Sequence, residues 1–253
     1  MLDVSPSHEP VAHGSPILKA RLAGALYLIN IAAGIFTEIF VRDKFMVSGD
    51  AAATAHNIVL NEGLYRLGLC ADIVAIACAI IVTLLLYELL KPAGRSLALM
   101  TLGFSLASNV VEIVNLLAFL SPLIVMKAGK ALAAFEPGQI QAIALMALKL
   151  HNAQFMIILT FFGFSCLFEG YLIIRSRFLP AVLGILILIA GVCYVVYSFA
   201  AFIAPEFASL LVPYIQLASA IGETLLALWL LVFGVNASQW RAQANASQPG
   251  GRP

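Results

Sequence analysis

Five carboxylates stand inside apolar runs: Glu38, Asp72, Glu112, Glu169 and Glu223. A charged side chain such as Asp at the centre of a lipid-spanning helix costs roughly 2.5–3.5 kcal/mol, several times what one Leu returns. Ionisable groups in such places mark ion paths, proton relays or ligand sites. The fixed cations nearby are Arg66 and Lys149, both near the ends of runs, and His151 is neutral at its ordinary charge state. Five carboxylates against two cations is an excess that low dielectric does not tolerate. Some of the acids must be protonated, or something cationic must join them.

Depth and helical register group these acids. At 1.5 Å per residue, Asp72 and Glu112 lie ~12 Å from the outer ends of their runs and Glu223 ~20 Å. Glu38 and His151 lie closer to the outer surface. Glu169 lies toward the inner end and reads as structural, its head snorkelling to the interface. Ser105, Ser108, Glu112 and Asn115 recur at steps of three and four, one helical stripe. Gln216, Ser219 and Glu223 form a second stripe, Asn30, Gly34 and Glu38 a third, and Tyr65 with Asp72 a fourth. Four polar stripes biased toward one end predict a shared polar cavity. Asp72, Glu112 and Glu223 would face it, with Glu38, Asn115 and His151 near its rim. The competing expectation is that the stripes join helix to helix. Gly184, Gly191 and Ser198 recur every seven residues without charge, and predict a packing face.

That chemistry is compatible with holding a proton, a metal cation or an amine-bearing solute. A metal site would draw on His151 with Asp72, Glu112 or Glu223, completed by His56. No HExxH is present, so a zincin-type site is excluded. Gly163-Phe-Ser-Cys166 carries part of the Ser motif of intramembrane serine proteases. Its one candidate base, His151, lies 14 residues away on the same run, ~21 Å along a helix, beyond a nucleophile's reach. A membrane haem site would want paired His within the spans, and only His151 is there. The four cysteines lie in apolar runs without a CxxC, which indicates packed hydrophobes and not a zinc or disulfide framework.

The elements that must position these residues are long helices. Of 253 residues, 62% are hydrophobic and 11% charged, where a soluble domain is nearer half and a quarter. Lys and Arg number 14 against 13 Asp and Glu, so there is no basic footprint for nucleic acid. Six runs reach the ~20 apolar residues that cross a bilayer: 22–41, 64–90, 97–120, 150–174, 178–203 and 210–235. They lack the period-two alternation of barrel strands, and only helices otherwise satisfy their backbone in lipid. The fold expected is an all-α, six-helix membrane bundle over residues 18–236, flanked by disordered tails at 1–17 and 237–253. The N-terminus lacks the pattern of a cleaved signal peptide.

Two connections are long. In the first, Asp50 precedes Ala51–Leu60, the pattern of a capped short helix lying over the bundle end. In the second, Pro137 opens a helix that runs on to Arg175; unbroken, it would project beyond the bilayer or bend near His151. The side of both chain ends would carry Lys19, Arg21, Lys91, Arg95, Arg175, Arg177, Arg241 and Arg252, three pairs of them hard against span ends. The other side carries Arg42, Lys44, Arg66, Lys127, Lys130 and Lys149. This bias predicts cytoplasmic termini and long connections outside.

Arg21-Leu-Ala-Gly-Ala-Leu-Tyr-Leu-Ile, Gly49-Asp-Ala-Ala-Ala-Thr-Ala, Asn61-Glu-Gly-Leu-Tyr-Arg-Leu-Gly, Leu89-Leu-Lys-Pro, Phe178-Leu-Pro-Ala-Val-Leu-Gly and Gly222-Glu-Thr-Leu-Leu-Ala-Leu-Trp-Leu-Leu form a further pattern. Together they resemble the bacterial integral-membrane domain-of-unknown-function family 4386, over about residues 18–236. The resemblance implies a bacterial inner-membrane protein of about six helices and no particular activity or cofactor. Three functions stay open: cation, proton or small-ligand binding or transport; a structural or regulatory membrane subunit; and a carboxylate- or metal-dependent enzyme acting on lipid.

Overall fold

A computed structural model describes residues 15–247. All regular structure among them is helical. Helix α1 (Pro16–Phe36) passes into a π-helical segment (Thr37–Arg42) and the single turn α2 (Asp43–Phe45). Then come α3 (Ala51–Leu60), α4 (Glu62–Leu90), α5 (Arg95–Met126), α6 (Pro137–Arg175), α7 (Ala181–Ile203), α8 (Pro205–Val232) and α9 (Ala237–Ala246). Five helical stretches are each long and apolar enough to cross a membrane. Helix α8 makes a sixth if its two parts, Pro205–Val212 and Leu217–Val232, bent by 49°, count as one span. Contacts run α1–α4–α5–α6–α7–α8 and back to α1, so the long helices close a ring in chain order.

Several local expectations are met for identifiable reasons. Asp50 caps α3, its Oδ1 accepting from the Ala53 N–H at 2.8 Å. Ile58 of α3 is fully buried with Val41, Phe45, Tyr65, Phe119, Leu123 and Leu148, so α3 lies packed over one end of the bundle. Helix α6 is unbroken for 39 residues, ~58 Å, and it packs against α3, with Leu148 and Ile58 in one buried cluster. A capping box of Glu136 and Gln139 opens it. The small residues of α7 let backbones meet. A Cβ on Gly184 would stand 2.5 Å from the Gly170 carbonyl oxygen, and one on Gly191 2.9 Å from that of Gly163.

Three expectations need correction. The first span does not end at Val41, because the π turn and α2 carry the helix to Phe45, and Val41 and Phe45 are buried. Helix α5 runs through Pro122 to Met126, since burial of Phe119 and Leu123 outweighs the one N–H that the proline lacks. The C-terminal segment is not a disordered tail through residue 246. Gly234, at φ +67, ends α8 in the left-handed conformation, its N–H donating to the Trp229 carbonyl. Asn236 then caps α9. Trp240 is buried and its Nε1–H donates to the Leu89 carbonyl at 2.8 Å. At the other terminus α1 already begins at Pro16; residues 1–14 of the expected tail and 248–253 lie outside the described residues.

Candidate functional site

The expected single acid cluster divides into two. The first centres on Arg42, at the end of the π segment. One extra residue in that turn shifts the helical register. The Arg42 guanidinium bonds Asp72 Oδ2 at 2.9 Å and Glu38 Oε2 at 3.0 Å. Thr37 Oγ1 lies 2.7 Å from Asp72 Oδ1 and 2.6 Å from the Ala33 carbonyl oxygen, and donates to one at a time. The Asp72 side chain is 8% exposed and that of Arg42 21%, whereas Glu38 is 51% exposed. Glu112 is half-buried and within electrostatic reach of Asp72 and Arg42. Arg42 also lies over the Phe119 ring, which stacks on Tyr65. The group therefore sets one guanidinium among three carboxyls.

Beside it, His151 and Asn115 tie α5 to α6. The Asn115 amide donates to the His151 carbonyl at 3.1 Å, and His151 Nδ1 lies 3.3 Å from the Asn115 carbonyl oxygen. A cavity of about 20 Å³ adjoins them, lined by Arg42, Phe45, Met46, Tyr65, Phe119, Leu148, His151 and Asn152. That is room for one water. Asp72, Glu112 and Glu223 do not line it, so it is not the shared polar cavity that those three acids were expected to face. The stripe on α5 is a helix-joining one over much of its length: Ser105 bonds Ser165, and Ser108 donates to the Ile158 carbonyl. Asn30 likewise donates from α1 to the Ala75 carbonyl on α4. The side chain of Gln216 lies outside what is described.

The second group is deeper and centres on Glu223 of α8. Tyr27 of α1 donates to its Oε2 at 2.9 Å and Tyr194 of α7 to its Oε1 at 2.5 Å. Glu169 of α6 is in electrostatic reach of Glu223. Far from snorkelling to an interface, Glu169 is 6% exposed, and its Oε1 is buried without a hydrogen-bond partner. Glu169 shares its buried face of α6 with Cys166, Leu172 and Ile173, at steps of three and four. Buried Cys166 lies one turn earlier. No Lys or Arg bonds either carboxyl among the described residues. Glu88, by contrast, bonds Lys91 at 2.8 Å and Lys19 at 3.2 Å at the end of the bundle.

No three His, Cys, Asp or Glu side chains converge to hold a metal ion among the described residues. The weaker metal set is thus not assembled: His56 is exposed on α3, and Glu223 belongs with Glu169 and not with His151. Thr37, Arg42, Tyr27 and Tyr194 were not among the expected site residues, though the last three carried a signal. Arg42 follows Glu38 by one turn, Tyr27 precedes Asn30 and Gly34 on one stripe, and Tyr194 sits between Gly191 and Ser198.

A family model described as Domain of unknown function (DUF4386) matches residues 22–234. Nothing among curated proteins or solved structures matches the chain. The chain belongs to the DUF4386 family, and is a multi-span membrane protein by the length and composition of its helices.

Proposed function

We propose that this member of the DUF4386 family binds a proton or a small cation at carboxyls inside its helical bundle and moves it between the two ends. The observation that carries this reading is the pair Glu169 and Glu223: both are buried and in electrostatic reach of each other, Glu223 accepts from Tyr27 and Tyr194, and no Lys or Arg bonds either carboxyl among the described residues. Two like charges in an apolar interior do not both persist, so the pair must take up a proton or a cation. Tyr27 and Tyr194 supply hydroxyls that can shift between donors and acceptors as the load changes. The Arg42 group, with Glu38, Asp72 and Glu112, serves as the way in from the end roofed by α3, with Asn115 and His151 beside it. Residues 18–236 form the single membrane domain, set in a bacterial inner membrane with both termini in the cytoplasm and α3 outside.

Uptake into liposomes tests this. Purified protein reconstituted with a pH-sensitive dye inside, and with a cation gradient in a parallel set, should move protons or cations faster than empty vesicles. Glu223→Gln and Glu169→Gln should abolish that flux without preventing insertion. Flux unchanged in both variants, or absent from the unaltered protein, counts against the reading. A second reading, a structural or regulatory subunit, is favoured by the stripe that bonds α5 to α6 through Ser105, Ser108 and Asn115. It predicts that both substitutions are neutral or stabilising, since each removes a costly charge and keeps a hydrogen-bonding group.

A further inference from the structure

The end of the bundle that carries both ends of the described chain is strongly one-signed. Lys19, Arg21, Lys91, Arg95, Arg175, Arg177 and Arg241 gather there, held together by three bonds. Trp240 donates to Leu89, the Asn236 N–H to the Phe178 carbonyl, and the Arg177 N–H to Gln243 Oε1. Glu88 is the acid among them, and Lys19 and Lys91 already share it. Arg21, Arg95, Arg175, Arg177 and Arg241 form no ion pair among the described residues. A groove of about 410 Å³ opens at this end, between the turn at 177–180 and the junction of α8 with α9. Its rim holds exposed Arg177 and Gln239, and its wall holds the aromatic pair Trp229 and Phe233, with ring centroids 4.5 Å apart. Phe233 is 63% exposed. The turn is fixed by its backbone bonds, so the guanidinium is presented from an ordered base.

We infer that this groove is a binding site for an anionic phospholipid, its phosphate on Arg177 and its upper acyl chain along Trp229 and Phe233. Charge selects the ligand: an anionic headgroup relieves unpaired cations, and a zwitterionic one brings its own cation with it. Basic pockets between helix ends are the usual headgroup sites on a leaflet carrying negative lipid, and aromatic rings settle at that depth. Arginine suits a phosphate because its planar fork makes two parallel hydrogen bonds. The site is independent of the carboxyls inside the bundle.

The two tryptophans give a direct readout. Trp229 lines the groove, whereas Trp240 is buried and 5% exposed. The full chain is reconstituted in phosphatidylcholine vesicles containing an equal minor fraction of either brominated phosphatidylglycerol or brominated phosphatidylcholine. Bromine quenches tryptophan on contact, so the anionic lipid should quench more strongly, with an apparent local enrichment of about fivefold for one engaged arginine. Arg177→Gln should bring the two lipids level, while Arg95→Gln, at the same end but outside the groove, should leave the preference standing. Trp229→Phe should remove it, since the remaining Trp240 does not face the groove. Higher ionic strength should weaken the preference in the unaltered chain, a check that depends on no variant's folding. Equal quenching by both lipids overturns the site. So does a preference that survives Arg177→Gln or Trp229→Phe.

Discussion

Arg42 determines the electrostatics of the first carboxyl group, and its removal is the most informative single change there. It holds Asp72, which is 8% exposed, and Glu38 at bonding distance. Breaking a buried pair by deleting one partner costs about 3–5 kcal/mol, because the other charge is left without compensation. Arg42→Met should therefore lower stability by that order in denaturant or thermal unfolding, and adding Asp72→Asn should restore most of it. A loss that the second substitution leaves untouched would show that Arg42 acts by packing on Phe119 instead. The acids themselves were legible from sequence, because a carboxylate in an apolar run stands out by composition alone. Their partners were less so. Arg42 stands one turn past Glu38 but just beyond the apolar run that ends at Val41, so it reads as a loop residue. Only the π turn, which no propensity announces, carries it back over Asp72. Glu169 was misplaced for a related reason. Distance along the helix gives depth, but the packing that leaves Glu169 6% exposed is a tertiary fact.

Among the elements, the α6–α7 contact is close on both backbones and carries a sharp expectation. A Cβ on Gly170 would stand 2.6 Å from the Gly184 carbonyl oxygen, and one on Gly184 2.5 Å from that of Gly170. Neither backbone can yield without parting the helices. Overpacking of a close-fitted core costs about 1–3 kcal/mol and occasionally more, so Gly170→Leu should reach at least the upper part of that range. Because Glu169 is the next residue, the same change should disturb the carboxyl pair, and the melting temperature and ion uptake should fall together. Helix α3 gives a milder case. Asp50→Ala removes an N-cap bond worth about 1 kcal/mol, and should raise amide exchange over Ala51–Leu60 while sparing α4. These elements were legible where a local signal sets them: a cap at Asp50, a proline at Pro137, a seven-residue spacing of small residues in α7. Helix α9 was not, since its composition is polar and its order comes from Trp240 reaching across to α4.

For the whole molecule, the closed ring of helices in chain order fixes which segments share an end. Neighbours joined by a short turn run antiparallel, so the turns at 91–94 and 176–180 emerge beside the start of α1 and beside α9. The contacts agree: Lys19 meets Glu88, Asn236 meets Phe178, and Ser247 meets the Pro92 carbonyl. The opposite end holds α3 and the part of α6 that packs against it. The proposed placement of the end with both termini in the cytoplasm rests on charge. Lys19 with Arg21, Lys91 with Arg95, and Arg175 with Arg177 lie in short segments hard against helix ends, where the bias of Lys and Arg acts most strongly during insertion. The other end has Arg42 and Arg66 engaged with acids and its lysines spread over longer segments. We expect reporter fusions after Lys91 to score as cytoplasmic and fusions after Asp50 as external. Replacing Arg175 and Arg177 together by Gln should weaken that preference at the fourth and fifth spans without altering the helix count. Fusions with the opposite result would reverse the molecule in the membrane, placing the α3 roof and the Arg42 group on the cytoplasmic side. The direction of any proton or cation movement through Glu169 and Glu223 would reverse with them.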